Sequence, residues 1–187
     1  MLGNIYENPA DQITEILLLQ ETMGVKNTII VCNTSHAYNI FSVIESSLKE
    51  RGCSINLINI VSETVEYIVN INVNSKIKVG VLSTLASNKV GLYENKLIQN
   101  GIETICLPPD KLENVQNVID DIKAHSSCSK SSEISLKNIF EYFLENKVTH
   151  IVLGCTELPI CISDNYFKNI EIVDPMVIAA RKIISLY

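Results

Sequence analysis

Short runs of β-branched and aliphatic residues alternate along this chain with longer stretches whose apolar positions recur every three to four residues. The runs predict strands at residues 28–31, 55–60, 77–82, 104–107, 149–153 and 170–173. Most lack polar alternation, as strands covered on both faces do, and 28 isoleucines are available to fill them. The periodic stretches predict helices over residues 11–22, 37–50, 63–69, 87–99, 112–124, 134–146 and 175–185. In the second of these, Ile40, Ile44 and Leu48 make one stripe that ends before Gly52, and the fourth stops at Asn100 and Gly101. Residues 126–135, with six serines, predict a polar loop joining two helices. Strands and helices in this alternation specify an α/β fold with a mainly parallel sheet.

At 187 residues, 47% hydrophobic and 19% charged, the chain has the composition of one or two small globular domains, which excludes a disordered tail or a fibrous repeat. Fifteen Lys and Arg against 21 Asp and Glu leave a net charge of −6 with no run of like charges, so no nucleic-acid partner is expected. The longest apolar run, residues 176–180, is far short of the roughly 20 residues of a membrane-spanning helix. With no basic residue before Lys26, the start lacks the pattern of a secretory signal, and a cytoplasmic protein is expected. There the six cysteines, Cys32, Cys53, Cys106, Cys128, Cys155 and Cys161, are expected to be free thiols. None has Cys-x-x-Cys spacing, and His36, His125 and His150 are scattered, so no metal site is expected.

Ligands of open α/β sheets bind beyond the carboxyl ends of the strands. Three predicted strand ends carry small polar residues there: Val31-Cys32-Asn33-Thr34, Leu82-Ser83-Thr84 and Gly154-Cys155-Thr156-Glu157. A free thiol with a pKa near 8.5 is only about 3% thiolate at pH 7, and a helix N-terminus lowers that pKa. Cys32 and Cys155 are both expected to be reactive on this ground, although a cysteine at a strand end often only packs. Two in equivalent strand-turn contexts point to two related lobes presenting a thiol each to a small anion. The threonines, Asn33 and nearby backbone N–H groups are suited to a carboxylate. Cys53, Cys106, Cys128 and Cys161 lack that context and are read as structural.

Cys32-Asn33-Thr34-Ser35-His36 and Gly154-Cys155-Thr156-Glu157-Leu158-Pro159 resemble, in order, the two active-site motifs of the aspartate/glutamate racemase family. The resemblance runs from about Asp11 to the C-terminus and includes Val79-Gly80-Val81-Leu82-Ser83-Thr84 and Val173-Asp174-Pro175. Thr156-Glu157 resembles the aspartate branch; the glutamate branch has Thr-His there. What this implies is an isomerase with no pyridoxal phosphate and no metal, in which Cys32 and Cys155 invert an α-carbon as acid and base on opposite faces. It implies that Asn33, Thr34, Thr84 and Thr156 bind the substrate's α-carboxylate. Lys123 stands where the aspartate branch has a lysine for the distal carboxylate; a helix-end lysine serving the dipole is the equal alternative. For His36 and Glu157 the bland roles are favoured, a ring orienting the first turn and a first-turn carboxylate, while a tuning of Cys155 stays open for Glu157.

The expected architecture is two pseudo-symmetric lobes, each a mainly parallel sheet flanked by helices, with the active site in the cleft between them. Residues 1–74 and 163–187 form the first lobe and residues 75–162 the second. The chain departs from the family pattern before Cys32, where a loop and one helix stand in place of a first strand with a glycine-rich turn. An arginine that follows that strand in the family has no counterpart, since the arginines are Arg51 and Arg181. Three alternatives to an active acidic-amino-acid racemase therefore stay open: an inactive carboxylate binder, a hydantoin racemase or a maleate isomerase. A homodimer is one way to cover the missing strand.

Overall fold

The computed structural model describes residues 8–73, 76–162 and 169–187. In chain order the elements are α1 (Ala10–Thr22), β1 (Asn27–Ile29), α2 (Tyr38–Glu50), β2 (Asn56–Ile58), α3 (Ile60–Asn72), β3 (Lys78–Ser83) and the short α4 (Leu85–Lys89) and α5 (Glu94–Gln99). They continue with β4 (Glu103–Ile105), α6 (Pro109–His125), α7 (Lys130–Glu145), β5 (His150–Gly154), β6 (Glu171–Val173) and α8 (Pro175–Ile184). Two parallel sheets result, a two-stranded β1-β2 and a four-stranded β4-β3-β5-β6.

Side-chain alternation along the strands divides the core. Leu82, Ile151 and Leu153 face α6 and α7 through Val118, Ile122, Phe140 and Phe143. On the other face Val79, Val81, Val152 and Val173 join Ile60, Val65 and Ala179 of α3 and α8 in a cluster that also takes Ile29 of β1. That shared cluster ties the two sheets together. A third cluster packs Leu17 of α1 on Ile40, Ile44 and Leu48 of α2 and reaches Ile30 and Leu57.

The two halves repeat one plan. β1 and β5 each end in a cysteine turn, and β2 and β6 each feed a helix that an Asx side chain caps. Asn59 accepts from Val61 and Ser62 at the start of α3, and Asp174 accepts from Met176 at the start of α8. The capped helices pack together, with Lys182 paired to Glu63 at 3.1 Å. β5 has β3 on its other side, whereas among the described residues β1 pairs with β2 alone.

Three expectations change, and the lobe division stays an expectation. β6 is hydrogen-bonded to β5 and so lies in the four-stranded sheet, while the expected lobe boundaries at residues 74–75 and 163 lie outside the described residues. The helix expected over 87–99 is broken at Gly91, whose φ of +61° no helix accommodates. The polar loop is shorter, because the Ser129 hydroxyl accepts from Ser132 N–H and starts α7 inside the serine run. Finally, Cys128 and Cys161 are a disulfide rather than free thiols. Packing of α6 on the turn after β5 brings their Cα atoms to 5.1 Å, a proximity that a separation of 33 residues conceals in the sequence.

Candidate functional site

Cys32 leaves β1 in an extended conformation and opens a 3-10 turn, Asn33–His36. Its carbonyl accepts from Ser35 N–H at 3.2 Å, which aims Asn33 and Thr34 off the carboxyl end of the strand. Thr34 Oγ1 lies 3.0 Å from Ser87 Oγ and 3.5 Å from Thr84 Oγ1, and Thr84 in turn donates to Ser87 at 3.0 Å. A cluster of three hydroxyls thus joins the turn after β1 to the one after β3. Thr84 is fixed as the N-cap of α4, accepting from Ser87 N–H at 3.2 Å.

β3 and β5 pair through Ser83 and Gly154, so Thr84 and Cys155 are the next residues beyond adjacent strand ends. Gly154 is needed there: a Cβ would sit 3.0 Å from Ser83 Cβ and 3.3 Å from the Tyr93 ring. Tyr93, wholly buried, lies against that glycine and donates its hydroxyl to Asn33 Oδ1, while Asn33 Nδ2 is buried without a partner. Burial pushes the Tyr93 phenol far up, so it stays a donor. The two cysteine turns are therefore linked through Thr34–Thr84 and through Asn33–Tyr93–Gly154.

On the second turn, the Cys155 thiol donates to Glu157 Oε2 at 2.9 Å, and Thr156 Oγ1 donates to the same oxygen at 3.1 Å. Burial, then the hydrogen bond and charge of Glu157, push the thiol up to about 12, opposed by the charge of Lys123 on α6. Burial also raises Glu157, but the bonds from Cys155 and Thr156 outweigh it and hold the carboxyl below its usual range. Lys123 is exposed at the end of α6, within electrostatic reach of both groups.

The structure thus gathers Asn33, Thr34 and Thr84 in one set of contacts and Cys155 and Thr156 in another, with Cys32 at the head of the first turn and Lys123 beside the second. Two expectations are corrected. Cys155 is not activated by a helix N-terminus, because a three-residue 3-10 turn follows it and its thiol is raised rather than lowered. Nor is Glu157 a first-turn carboxylate serving a dipole; it is bonded to the thiol. His36 keeps the orienting role: its Nε2 donates to the Ile30 carbonyl at 3.1 Å, its ring stacks on Phe41, and burial lowers its pKa to about 4. Ser87 and Tyr93 escaped the sequence reading, hidden inside one expected helix. A glycine at position 91 was the available signal for its break.

A family model described as Asp/Glu/Hydantoin racemase matches residues 6–183. A glutamate racemase of Carboxydothermus hydrogenoformans is 29% identical over 168 residues, 86% of this chain and 56% of that protein. The chain therefore spans just over half the length of that curated relative. Among solved structures, Picrophilus torridus aspartate racemase superposes with a TM-score of 0.78 at 24% identity, covering 97% of this chain and 71% of that one. Francisella tularensis glutamate racemase in complex with D-glutamate gives a TM-score of 0.70 at 21% identity, covering 100% of this chain and 67% of that one. At these identities the structural likeness is one of fold.

Proposed function

The chain belongs to the Asp/Glu/hydantoin racemase family, and on that premise we propose that it inverts the α-carbon of aspartate or glutamate with two cysteines and no cofactor. One thiolate takes the α-proton while the thiol on the opposite face returns a proton to carbon. The carbanion that forms between these steps is delocalised into the substrate carboxylate. Asn33, Thr34, Thr84 and Thr156 bind that carboxylate and stabilise the charge as it develops. Lys123 receives the distal carboxylate, and the aspartate-like Thr156-Glu157 pair favours aspartate as the substrate. The observation that carries this reading is the hydroxyl cluster Thr34–Thr84–Ser87, which joins the turn that Cys32 opens to the strand end beside Cys155.

Among the described residues no helix is long and apolar enough to cross a membrane, and cytoplasmic residence is part of the same proposal. So is a homodimer. The edge of β1, unpaired among the described residues, and the exposed Ile16 and Leu19 of α1 support a second copy as the partner. Sedimentation should show a dimer at micromolar concentration; a monomer would remove this part of the reading.

The test is proton NMR in heavy water of L- and D-aspartate and L- and D-glutamate, following loss of the α-proton signal. Exchange is expected with one of these pairs, and Cys32→Ala and Cys155→Ala should each slow it at least about 100-fold. Exchange at the wild-type rate in either variant would sink the two-cysteine mechanism. The β1 edge, unpaired among the described residues and close in sequence to Cys32, favours one competitor, a carboxylate binder without turnover. Thermal stabilisation by aspartate in a folded sample that shows no exchange would select it.

A further inference from the structure

The turn after β5 carries a carboxylate to which the two-cysteine scheme gives no task. Cys155 Sγ at 2.9 Å and Thr156 Oγ1 at 3.1 Å both donate to Oε2 of Glu157. The Thr156 bond holds the carboxylate against the thiol, where a side chain in a purely solvated role would swing outward. The turn that follows, Leu158–Ile160, has only three residues and offers Glu157 no α-helix dipole to complement.

We propose that Glu157 is a positioning residue acting through Cys155: the thiol and the carboxylate hold one proton between them, so that Cys155 enters turnover as the proton donor. The inference rests on the racemase reading and adds a direction to it. When Cys32 acts as the base, its thiolate removes the α-proton, leaving the C–H electron pair on carbon. Carbon then takes the proton from Cys155 Sγ, which forms the new C–H bond on the opposite face and breaks the S–H bond. Cys32 is left as a thiol, and Cys155 as a thiolate 2.9 Å from the Glu157 carboxylate.

Two anions so close repel, and the pair is driven to recover its proton from solvent as Cys32 gives one up. Lys123 on α6 is the charge from a neighbouring element that acts on both groups and limits the repulsion. Ser83 at the end of β3 and Thr84, the N-cap of α4, lie beside the same strand end and are neutral. Burial and the Glu157 carboxylate act in one direction on the thiol, toward keeping its proton.

The measurement is the pH titration of Cys155 by NMR of the full chain carrying cysteine labelled with carbon-13 at Cβ, without substrate. Loss of one signal in Cys155→Ser assigns the resonance. In the wild type the Cys155 signal should remain that of a thiol through pH 10. In Glu157→Gln its midpoint should fall by about one pH unit or more, while Glu157→Asp, which keeps the charge, should stay closer to the wild type. An unshifted midpoint in Glu157→Gln would overturn the proposal, as would a wild-type Cys155 that titrates in the ordinary thiol range near 8.5. A wild-type Cys155 that titrates in the ordinary range overturns the proposal even if the variants do not fold. Because no turnover is read, the absence of racemase activity would leave this result legible, and exchange with an unshifted thiol would sink only the role of Glu157.

Discussion

Tyr93 shows how much a single side chain carries here. Its ring fills the space that Gly154 leaves open, and its hydroxyl supplies Asn33 Oδ1, so one residue reaches both cysteine turns. Tyr93→Phe keeps the ring and removes the donor. Leaving Asn33 with both side-chain polar atoms unpaired in a buried place should cost about 1–2 kcal/mol, read as a lower urea midpoint at unchanged slope. The rate of α-proton exchange should fall with it, because Asn33 then loses its fixed orientation. Unchanged stability would mean that the hydroxyl–amide bond contributes nothing. The two cysteines, Asn33 and the threonines were legible in the sequence because they sit in contiguous turns directly after strands. Tyr93 and Ser87 were not, since each meets Asn33 or Thr34 across more than fifty residues, and no local spacing encodes such a contact. The position of Glu157 was legible, and a tuning of Cys155 was the lesser of its two readings, but the sequence could not choose between them. Which way a carboxylate turns depends on neighbours, here the thiol two residues before it and the Thr156 hydroxyl.

At the scale of elements, the strand and helix order could be read because hydrophobic period and burial agree. β3 alternates Val79 and Val81 on one face with Leu82 on the other, and the stripe of Ile40, Ile44 and Leu48 on α2 is buried as its spacing requires. What escaped were the places where a single residue overrides periodicity. Gly91 takes a left-handed conformation that separates α4 from α5, and that break is what turns Tyr93 inward. Ser129 begins α7 within a segment whose composition resembles a loop, because a hydroxyl that caps a helix and one that ends it look alike in composition. The placement of β6 followed neither signal. Strand order in a sheet is decided by the crossovers, and β6 lies beside β5 while α8 packs back on α3.

For the whole molecule, the Cys128–Cys161 bond joins the link after α6, the helix that carries Lys123, to the turn that follows Cys155, Thr156 and Glu157. It closes a loop across 33 residues of sequence and ties the segment after α6 to the turn whose Cys155 and Glu157 feel the Lys123 charge. In the chain-entropy account, a loop of that length restricts the unfolded state by about 3–4 kcal/mol. The bond is thus a large part of the roughly 5–15 kcal/mol by which a domain is stable. Unfolded without reductant, the protein should expose four reactive thiols, those of Cys32, Cys53, Cys106 and Cys155, and six after reduction. Reduction, or the pair Cys128→Ser and Cys161→Ser, should lower the unfolding midpoint by an amount that corresponds to that stabilisation. Six thiols before reduction would show that the two sulfurs are neighbours but not bonded, which is also the state a reducing cytoplasm favours. In that state only packing would hold α6 against the turn after β5, and the influence of Lys123 on Cys155 would weaken as the loop loosened. Comparing the Cys155 titration in oxidised and reduced protein separates these outcomes: a bonded pair predicts a higher midpoint after reduction, because a more distant Lys123 no longer offsets the Glu157 charge.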